Sequence, residues 1–456
     1  MASIRFHLAV IAAKLTAWLI HLLGRKGSHN PGVVALKICP DFLERMPKPE
    51  LTICVTGTNG KTTVSNMLTD ALIAGGKSTV SNRTGSNIVP GCVTNGVNSL
   101  NWMGKPKVDA AVYEVDERAS RLILPYIKPN YLVVTNLFRD SLKRNAHPDY
   151  IFSVINTYCP DTTKLILNAD DLCSSMLKPS NDRTFYGIGK QEGDLTESAN
   201  IVTDYSLCPE CGEKLRYEYL RYHHIGHAVC PKCGFHSFDA DYLATRVDRE
   251  NKILAICHEG QEDEYPLISD ITFNIYNELT VITTLRALGL SAAEVRGIVE
   301  QIKVPDSRLN HTVVNGVKVV QAMSKGQSCI SSCRTFDYVS SEPGKKAVVL
   351  AVDDAYDRKK SVEFAGWIYD VDYELLNKED VMQVVATGPR CLDHKVRLLL
   401  AGVPEEKIAV NTDEMAGIDQ VALSGLDTVY ILYDTSTYGL SCQMKQKLLK
   451  RLEEAK

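Results

Sequence analysis

Leu51-Thr52-Ile53-Cys54-Val55-Thr56-Gly57-Thr58-Asn59-Gly60-Lys61-Thr62-Thr63 is the stretch whose reading decides the fold of this chain. Its first six residues are apolar or β-branched and predict a short strand, and residues 62–74 have a helical pattern. Between them stands a glycine-containing loop. In that setting a Gly-Lys-Thr loop is a phosphate cradle, because backbone N–H groups and a helix N-terminus face the anion. Gly57, Thr58, Asn59, Gly60, Lys61, Thr62 and Thr63 are therefore expected to hold nucleotide phosphates. Lys61 would reach the outer phosphates and the Thr62 hydroxyl would face Mg²⁺. The bland alternative is a turn with a chance Gly-Lys-Thr, which the flanking strand and helix speak against.

Outward from the loop, apolar runs at 109–113, 131–135 and 165–167 each stop at polar residues, with helical segments between them. Such alternation predicts an α/β fold with a parallel sheet covered by helices on both faces. Ligands of open sheets sit outside the carboxyl ends of the strands. That singles out Glu114, Asn136, Asp140 and the segment Asn168-Ala169-Asp170-Asp171. For the last of these, an Asx helix cap is as good a reading as a ligand contact. Residues 273–288 read as a helix that carries Asn274 and Asn277 one turn apart, so they can share a face. Pro305-Asp306-Ser307-Arg308 reads as a linker. A second, Rossmann-like α/β unit follows, with strands expected at 317–322, 347–352, 381–386 and 429–432.

Composition sets the bounds. A chain of 456 residues exceeds one ordinary core, so two or three domains are expected: 1–48 as an amphipathic helix and lead-in, 49–303 as the nucleotide domain, and 304–456 as the C-terminal domain. A net charge of -4 disfavours nucleic acid, whose binding rests on neutralising phosphates. Fourteen cysteines spread over so long a chain point to a reducing, cytoplasmic compartment rather than a disulfide framework. Residues 4–23 are apolar but interrupted by Arg5, His7, Lys14 and His21. Those charges argue against a spanning helix and leave two readings: a helix packed on the body of the protein, or one lying on the inner membrane surface.

Between about 200 and 245 the strand-and-helix rhythm gives way to an inserted module. Cys208-Pro209-Glu210-Cys211-Gly212 and Cys230-Pro231-Lys232-Cys233-Gly234 form two knuckles separated by 18 residues. Four thiolates at this spacing suit a closed tetrahedral Zn²⁺ site, structural because no position is left for water. A redox dithiol pair and a nucleic-acid-binding ribbon are the alternatives. His223, His224 and His227, lying between the knuckles, read as packing or surface residues.

The seven-residue form Gly57–Thr63 resembles the loop of the Mur ligase and folylpolyglutamate synthase superfamily. That likeness implies ATP-driven carboxyl activation, with Glu114 as a Mg²⁺ ligand and with Asn274, Asn277 and the linker Arg308 as nucleotide contacts. Thr135-Asn136-Leu137-Phe138-Arg139-Asp140 looks like a superfamily segment near the phosphates, although Ser141 stands where histidine is usual. The four-cysteine ribbon, the N-terminal helix, Asn82-Arg83-Thr84-Gly85-Ser86-Asn87 and Glu114-Val115-Asp116-Glu117 together resemble the MurT family over nearly the whole chain.

That resemblance implies a synthetase subunit paired with a GatD-type glutaminase. The pair would amidate the α-carboxylate of D-glutamate in the peptidoglycan precursor lipid II, using ATP, Mg²⁺ and a structural Zn²⁺. It also implies that an aspartate of the C-terminal domain completes the partner's Cys-His pair. Asp370, in Trp367-Ile368-Tyr369-Asp370, fits the family segment best, with Asp354 second. Two segments depart from the family. Val352-Asp353-Asp354-Ala355-Tyr356-Asp357-Arg358 stands for N-D-N-Y-A-D-G, and Met323-Ser324-Lys325-Gly326-Gln327 lacks the usual K-N-P. No cysteine has a glutaminase-like setting, which is why a partner is required. Two other readings compete. One is a stand-alone amino-acid ligase, which would want a D-N-P-R type motif not found here. The other is a non-catalytic zinc-ribbon scaffold, which the intact Lys61, Thr62 and Glu114 argue against.

Overall fold

The computed structural model describes residues 2–24, 27–83, 86–139, 147–302, 309–324, 328–352 and 366–455. They fall into two compact units. One takes in most of the chain up to residue 304; the other is built on residues 305–456 and also takes in Arg139 and Ala199–Thr203.

In the first unit, β1 (Leu51–Thr56), β2 (Thr79–Ser81), β3 (Ala110–Glu114), β4 (Tyr131–Val134), β5 (Lys164–Asn168) and β6 (Arg183–Ile188) pair in parallel. Two strands, β7 (Arg216–Tyr222) and β8 (Ile225–Val229), form a separate antiparallel hairpin. The main sheet then resumes with β9 (Tyr242–Asp248), β10 (Ile253–His258) and β11 (Gln261–Pro266), giving the order β11-β10-β9-β6-β5-β4-β1-β3-β2.

The fully parallel sheet expected from the sequence therefore needs a correction: β9, β10 and β11 pair antiparallel. The reason is local. Glu259 and Gly260 both take positive φ, 50° and 79°, the geometry of a two-residue turn that joins adjacent antiparallel strands. Gln261, Glu262 and Glu264 then blunt the exposed sheet edge with polar and charged groups.

Burial explains the central strands. Ile53 to Val55, Ala110 to Tyr113, Leu132 to Val134 and Leu165 to Leu167 are fully enclosed, as expected of strands with helices on both faces. The helix Lys61–Ala74 contributes Val64, Leu68, Ala71 and Leu72 to the core, and Thr272–Ala287 is buried along most of its length. The N-terminal helix Ala2–Leu22 packs one face, Phe6, Ala9, Val10 and Ala13, on the helices Asn30–Ile38 and Val89–Ser99. Since β1 lies between β3 and β4, the loops leaving these three strands meet at one edge of the sheet, where a ligand crevice is expected.

The second unit has β12 (Leu309–Val314), β13 (Val317–Met323), β14 (Lys346–Ala351), β15 (Val381–Thr387), β16 (Ile408–Asn411) and β17 (Thr428–Tyr433), in the order β12-β13-β17-β14-β15-β16. Only β12 runs antiparallel, folded back on β13 through Asn315 and Gly316, both at positive φ. Val319, Val349, Val385 and Ile431 form its core with Met444 and Leu448 of the helix Tyr438–Glu454.

Candidate functional site

The loop after β1 is fixed by its neighbours before any ligand is considered. Gly57 has φ 129°, and a Cβ there would lie 2.2 Å from Thr135 Oγ1 and 2.8 Å from Asn136 O. Gly60 has φ 88° and caps the helix Lys61–Ala74; a Cβ there would lie 2.3 Å from Asn277 Oδ1. Glycine is required at both positions by conformation and by space. The loop is tied down from β4. The Thr58 N–H donates to Asn136 O (2.8 Å), the Asn59 N–H to Asn136 Oδ1 (3.0 Å), and Asn136 Nδ2 and Thr135 Oγ1 to Asn59 O (3.1 and 2.6 Å). Thr58 Oγ1 both donates to Phe138 O and accepts from the Phe138 N–H, so its hydroxyl braces the loop.

Lys61 turns back over this loop. Its Nζ donates to Gly57 O, to Thr58 O at 3.3 Å and to Glu117 Oε1 at 2.8 Å. Burial raises the Glu117 pKa and the Lys61 charge opposes that rise. Thr62 is exposed at the helix start, and Thr63 is half-buried. Glu114 ends β3 and pairs in register with Val55, two residues before Gly57. Asn82 grips its backbone at both N and O (2.8 Å each), and Asn87 Nδ2 donates to its carboxylate at 3.1 Å. Asn277 Nδ2 in turn faces Asn274 Oδ1 at 3.4 Å, and Asn274 Nδ2 donates to Ser269 Oγ. The phosphate-loop residues, Asn136, Asn277 and Asn274 thus form one hydrogen-bonded and contact-linked group, with Glu114 on the neighbouring strand.

Asn168-Ala169-Asp170-Asp171 is accounted for by structure. Asp171 caps the helix Leu172–Ser175 through the Cys173 N–H (3.0 Å) and accepts from the Leu137 N–H (2.6 Å). His224 Nε2 donates to the same carboxylate at 2.9 Å, both side chains fully enclosed. Asp170 gathers Tyr276 OH, Tyr219 OH, Arg221 Nη1 and the Ile188 N–H, at 2.6, 3.1, 3.3 and 2.9 Å. These carboxylates bolt the β7–β8 hairpin to the sheet, so His224 is a packing residue, as its setting between the knuckles suggested.

At the far end of that hairpin the four cysteine sulfurs lie within 4.8 Å of one another, Cys208 to Cys233 at 3.6 Å and Cys211 to Cys230 at 3.5 Å. Zn–S bonds of about 2.3 Å in a tetrahedron put sulfurs roughly 3.8 Å apart, so the donor set fits Zn²⁺. Gly212 and Gly234, at φ 70° and 79°, let each knuckle turn back, and their N–H groups donate to Cys208 O and Cys230 O.

In the second unit, Asp370 follows the short helix Gly366–Tyr369 and pairs with Arg139 Nη1 at 3.3 Å. Asp372 accepts from Asn200 Nδ2 (2.8 Å) and the Ile201 N–H (2.7 Å). Asp140, Ser141, Arg308, Lys325, Gly326 and Asp353, Asp354 and Asp357 lie outside the described residues. Glu117, Thr135, Asn82 and Asn87 stood in the sequence reading only inside family-like segments, with no role of their own. Glu117 carried a usable signal, an acidic residue three places beyond a strand end in the same crevice.

Residues 55–209 match the Mur ligase middle domain, and residues 330–438 match the MurT ligase C-terminal domain. The chain is 30% identical over 410 residues to the lipid II isoglutaminyl synthase (glutamine-hydrolyzing) subunit MurT of Staphylococcus aureus strain COL, covering 89% of this chain and 90% of that one. It is 26% identical to the subunit of the same name from Streptococcus pneumoniae, over 98% of both chains. Among solved structures, the pseudomurein peptide ligase type C of Methanothermus fervidus superposes with a TM-score of 0.68 at 17% identity, over 90% of this chain and 81% of that one. The MurF ligase of Thermotoga maritima, solved in complex with ADP, does so with 0.57 at 14% identity, over 92% and 85%.

Proposed function

The chain belongs to the MurT family, a group of Mur-ligase-fold subunits, and from that premise we propose that it activates the α-carboxylate of D-glutamate in lipid II for amidation. The observation that carries this reading is the phosphate loop with Lys61 poised over it and Glu114 beside it.

The chemistry balances in two steps. A carboxylate oxygen attacks the γ-phosphorus of ATP and the bond to the β,γ-bridging oxygen breaks, giving an acyl phosphate and ADP. Ammonia then adds to the acyl carbon, the C–O bond to phosphate breaks, and phosphate leaves with the electron pair while nitrogen loses one proton. Gly57, Thr58, Asn59, Gly60, Lys61, Thr62 and Thr63 hold the phosphates, and Lys61 offsets charge developing on the transferred group. Asn274, Asn277 and Arg308 serve the rest of the nucleotide. Thr62 and Glu114 suit the few protein ligands Mg²⁺ takes, and the ion would neutralise phosphate charge.

Ammonia comes from glutamine through a GatD-type glutaminase subunit, whose Cys-His pair Asp370, or Asp354, completes by fixing the histidine tautomer. Asp370 lies 3.3 Å from Arg139 Nη1. The protein works in the cytoplasm, at the inner face of the membrane that carries its acceptor. Zn²⁺ on Cys208, Cys211, Cys230 and Cys233 has a structural part only.

The acyl phosphate gives the sharpest test. With hydroxylamine, ATP, Mg²⁺ and lipid II, the chain without its partner should form the hydroxamate at the glutamate carboxyl. ATP consumption that depends on a free amino acid, with no hydroxamate, would favour a stand-alone ligase instead.

A further inference from the structure

The N-terminal helix has two faces with different fates. Phe6, Ala9, Val10 and Ala13 are packed against the protein, and Lys14 Nζ donates to Val97 O (3.1 Å) and Leu100 O (2.7 Å), the carbonyls at the end of a neighbouring helix. A helix locked on one side by protein and by a buried-face lysine cannot cross a bilayer as an isolated span. On its other side Ile4, Leu8, Ile11, Leu15, Trp18 and Leu22 form a continuous exposed apolar stripe at alternating spacings of four and three residues.

A second exposed apolar element borders the helix. The turn Trp102-Met103-Gly104 lies against the same helix: a Cβ on Gly104 would meet the Phe6 ring at 3.0 Å, and Lys14 Nζ stands 5.7 Å from the Trp102 ring. Trp18 and Trp102 are 58% and 56% exposed, an unusual position for the largest apolar side chain. The charged side chains of the helix itself are all basic, whereas Asp41 and Glu44 belong to the short helix packed on its other side through Phe42. Residues 2–24 contain no acidic side chain, and Arg5, His21, Lys105 and Lys107 are all exposed.

We infer that this face, the Ile4–Leu22 stripe together with Trp102 and Met103, docks in the surface of an anionic lipid bilayer. The basis is charge complementarity: an apolar stripe flanked by tryptophan, on a helix whose charged side chains are all basic and with Lys105 and Lys107 exposed beyond Trp102, sinks into the boundary between headgroups and acyl chains. A two-helix seam would use the stripe but leave the separate turn uncovered. The inference deepens the proposed function, because an acceptor held in the membrane is reached by an enzyme held at its surface, and it rests on that reading for its purpose.

Vesicle sedimentation with the full chain tests it, using phosphatidylcholine alone or mixed with phosphatidylglycerol and no acceptor. Binding to the mixed vesicles, weakened by salt, is expected, with a blue shift of tryptophan fluorescence. Leu8→Glu with Leu15→Glu, both exposed positions, should cut binding about tenfold or more while hydroxamate formation from a soluble, tail-free acceptor is unchanged. Absence of binding, or binding indifferent to these substitutions, overturns the inference. So does a dimer that the substitutions dissociate, which would assign the face to a second copy, or loss of vesicle binding when the glutaminase is added, which would assign it to the partner. Since the vesicles carry no acceptor, their failure to bind leaves the amidation reading standing, and failure of amidation leaves the membrane contact standing.

Discussion

Lys61 Nζ lies 2.8 Å from Glu117 Oε1, with both side chains largely buried at the mouth of the phosphate loop. On the proposed function, the pair holds the ammonium ready for the phosphates before the ligand binds. Lys61→Ala should lower kcat by about 10²–10³, the cost of removing a preorganised charge, without loss of zinc. Glu117→Ala leaves the lysine without its carboxylate and should cost about 3 kcal/mol of stability, read by denaturant unfolding.

Gly60 offers a separate test of the loop. At φ 88°, and with Asn277 Oδ1 2.3 Å from where a Cβ would stand, Gly60→Ala must push the asparagine away or distort the cradle. The expected result is a rise of about 5- to 30-fold in the KM for ATP, from about 1–2 kcal/mol of backbone strain at the binding loop. Asn277→Ala alone, measured in parallel, separates loss of the contact from the strain.

The four-cysteine centre should hold one zinc per chain. Cys230→Ser should lower zinc content and melting temperature together, because the ribbon is bolted to the sheet through Asp170 and Asp171. Arg221 tests the bolt itself: its guanidinium bonds Asp170, Asp194 and Tyr276 while enclosed. Arg221→Ala leaves the Asp170 and Asp194 carboxylates hydrogen-bonded but without their cation, and should cost about 3 kcal/mol with zinc retained.

Glu278 sets a pH dependence. Its Oε2 accepts from the Ile268 N–H at 3.0 Å, its Oε1 has no hydrogen-bond partner, and burial raises its pKa from 4.5 to about 8. The folded protein holds this proton more tightly than the unfolded chain, so its contribution to stability is full below about pH 4.5 and is lost as pH rises to about 8. The loss is on the order of a few kcal/mol, since a tenfold difference in proton affinity between the folded and unfolded chain corresponds to about 1.4 kcal/mol. Glu278→Gln should flatten that slope and raise the melting temperature above about pH 8.

The elements nearest the site were the most legible. Residues 51–56 form the strand read from them, and the helix starts at Lys61, one residue before its expected start, because Gly60 supplies the left-handed cap. The second unit's strands 317–322 and 429–432 each extend by a residue or two. Short strands such as Thr79–Ser81 and Ile408–Asn411 were illegible, since three or four half-buried residues leave no period to detect. The β10–β11 hairpin was hidden by Gln261, Glu262 and Glu264, edge residues whose polarity reads as loop. In the site, Gly57 to Thr63 announce themselves by spacing, whereas Thr135 and Glu117 act through contacts made 56 to 76 residues away in sequence.

The most direct test of the central claim is the mass of lipid II after incubation with this chain, ATP and Mg²⁺. Three mixtures are needed: glutamine alone, glutamine with the glutaminase partner, and ammonium without it. Replacement of one OH by NH₂ with glutamine only when the partner is present, and with ammonium in its absence, is the predicted result. Unchanged lipid II in every mixture, while ATP is consumed with a free amino acid, would contradict the account.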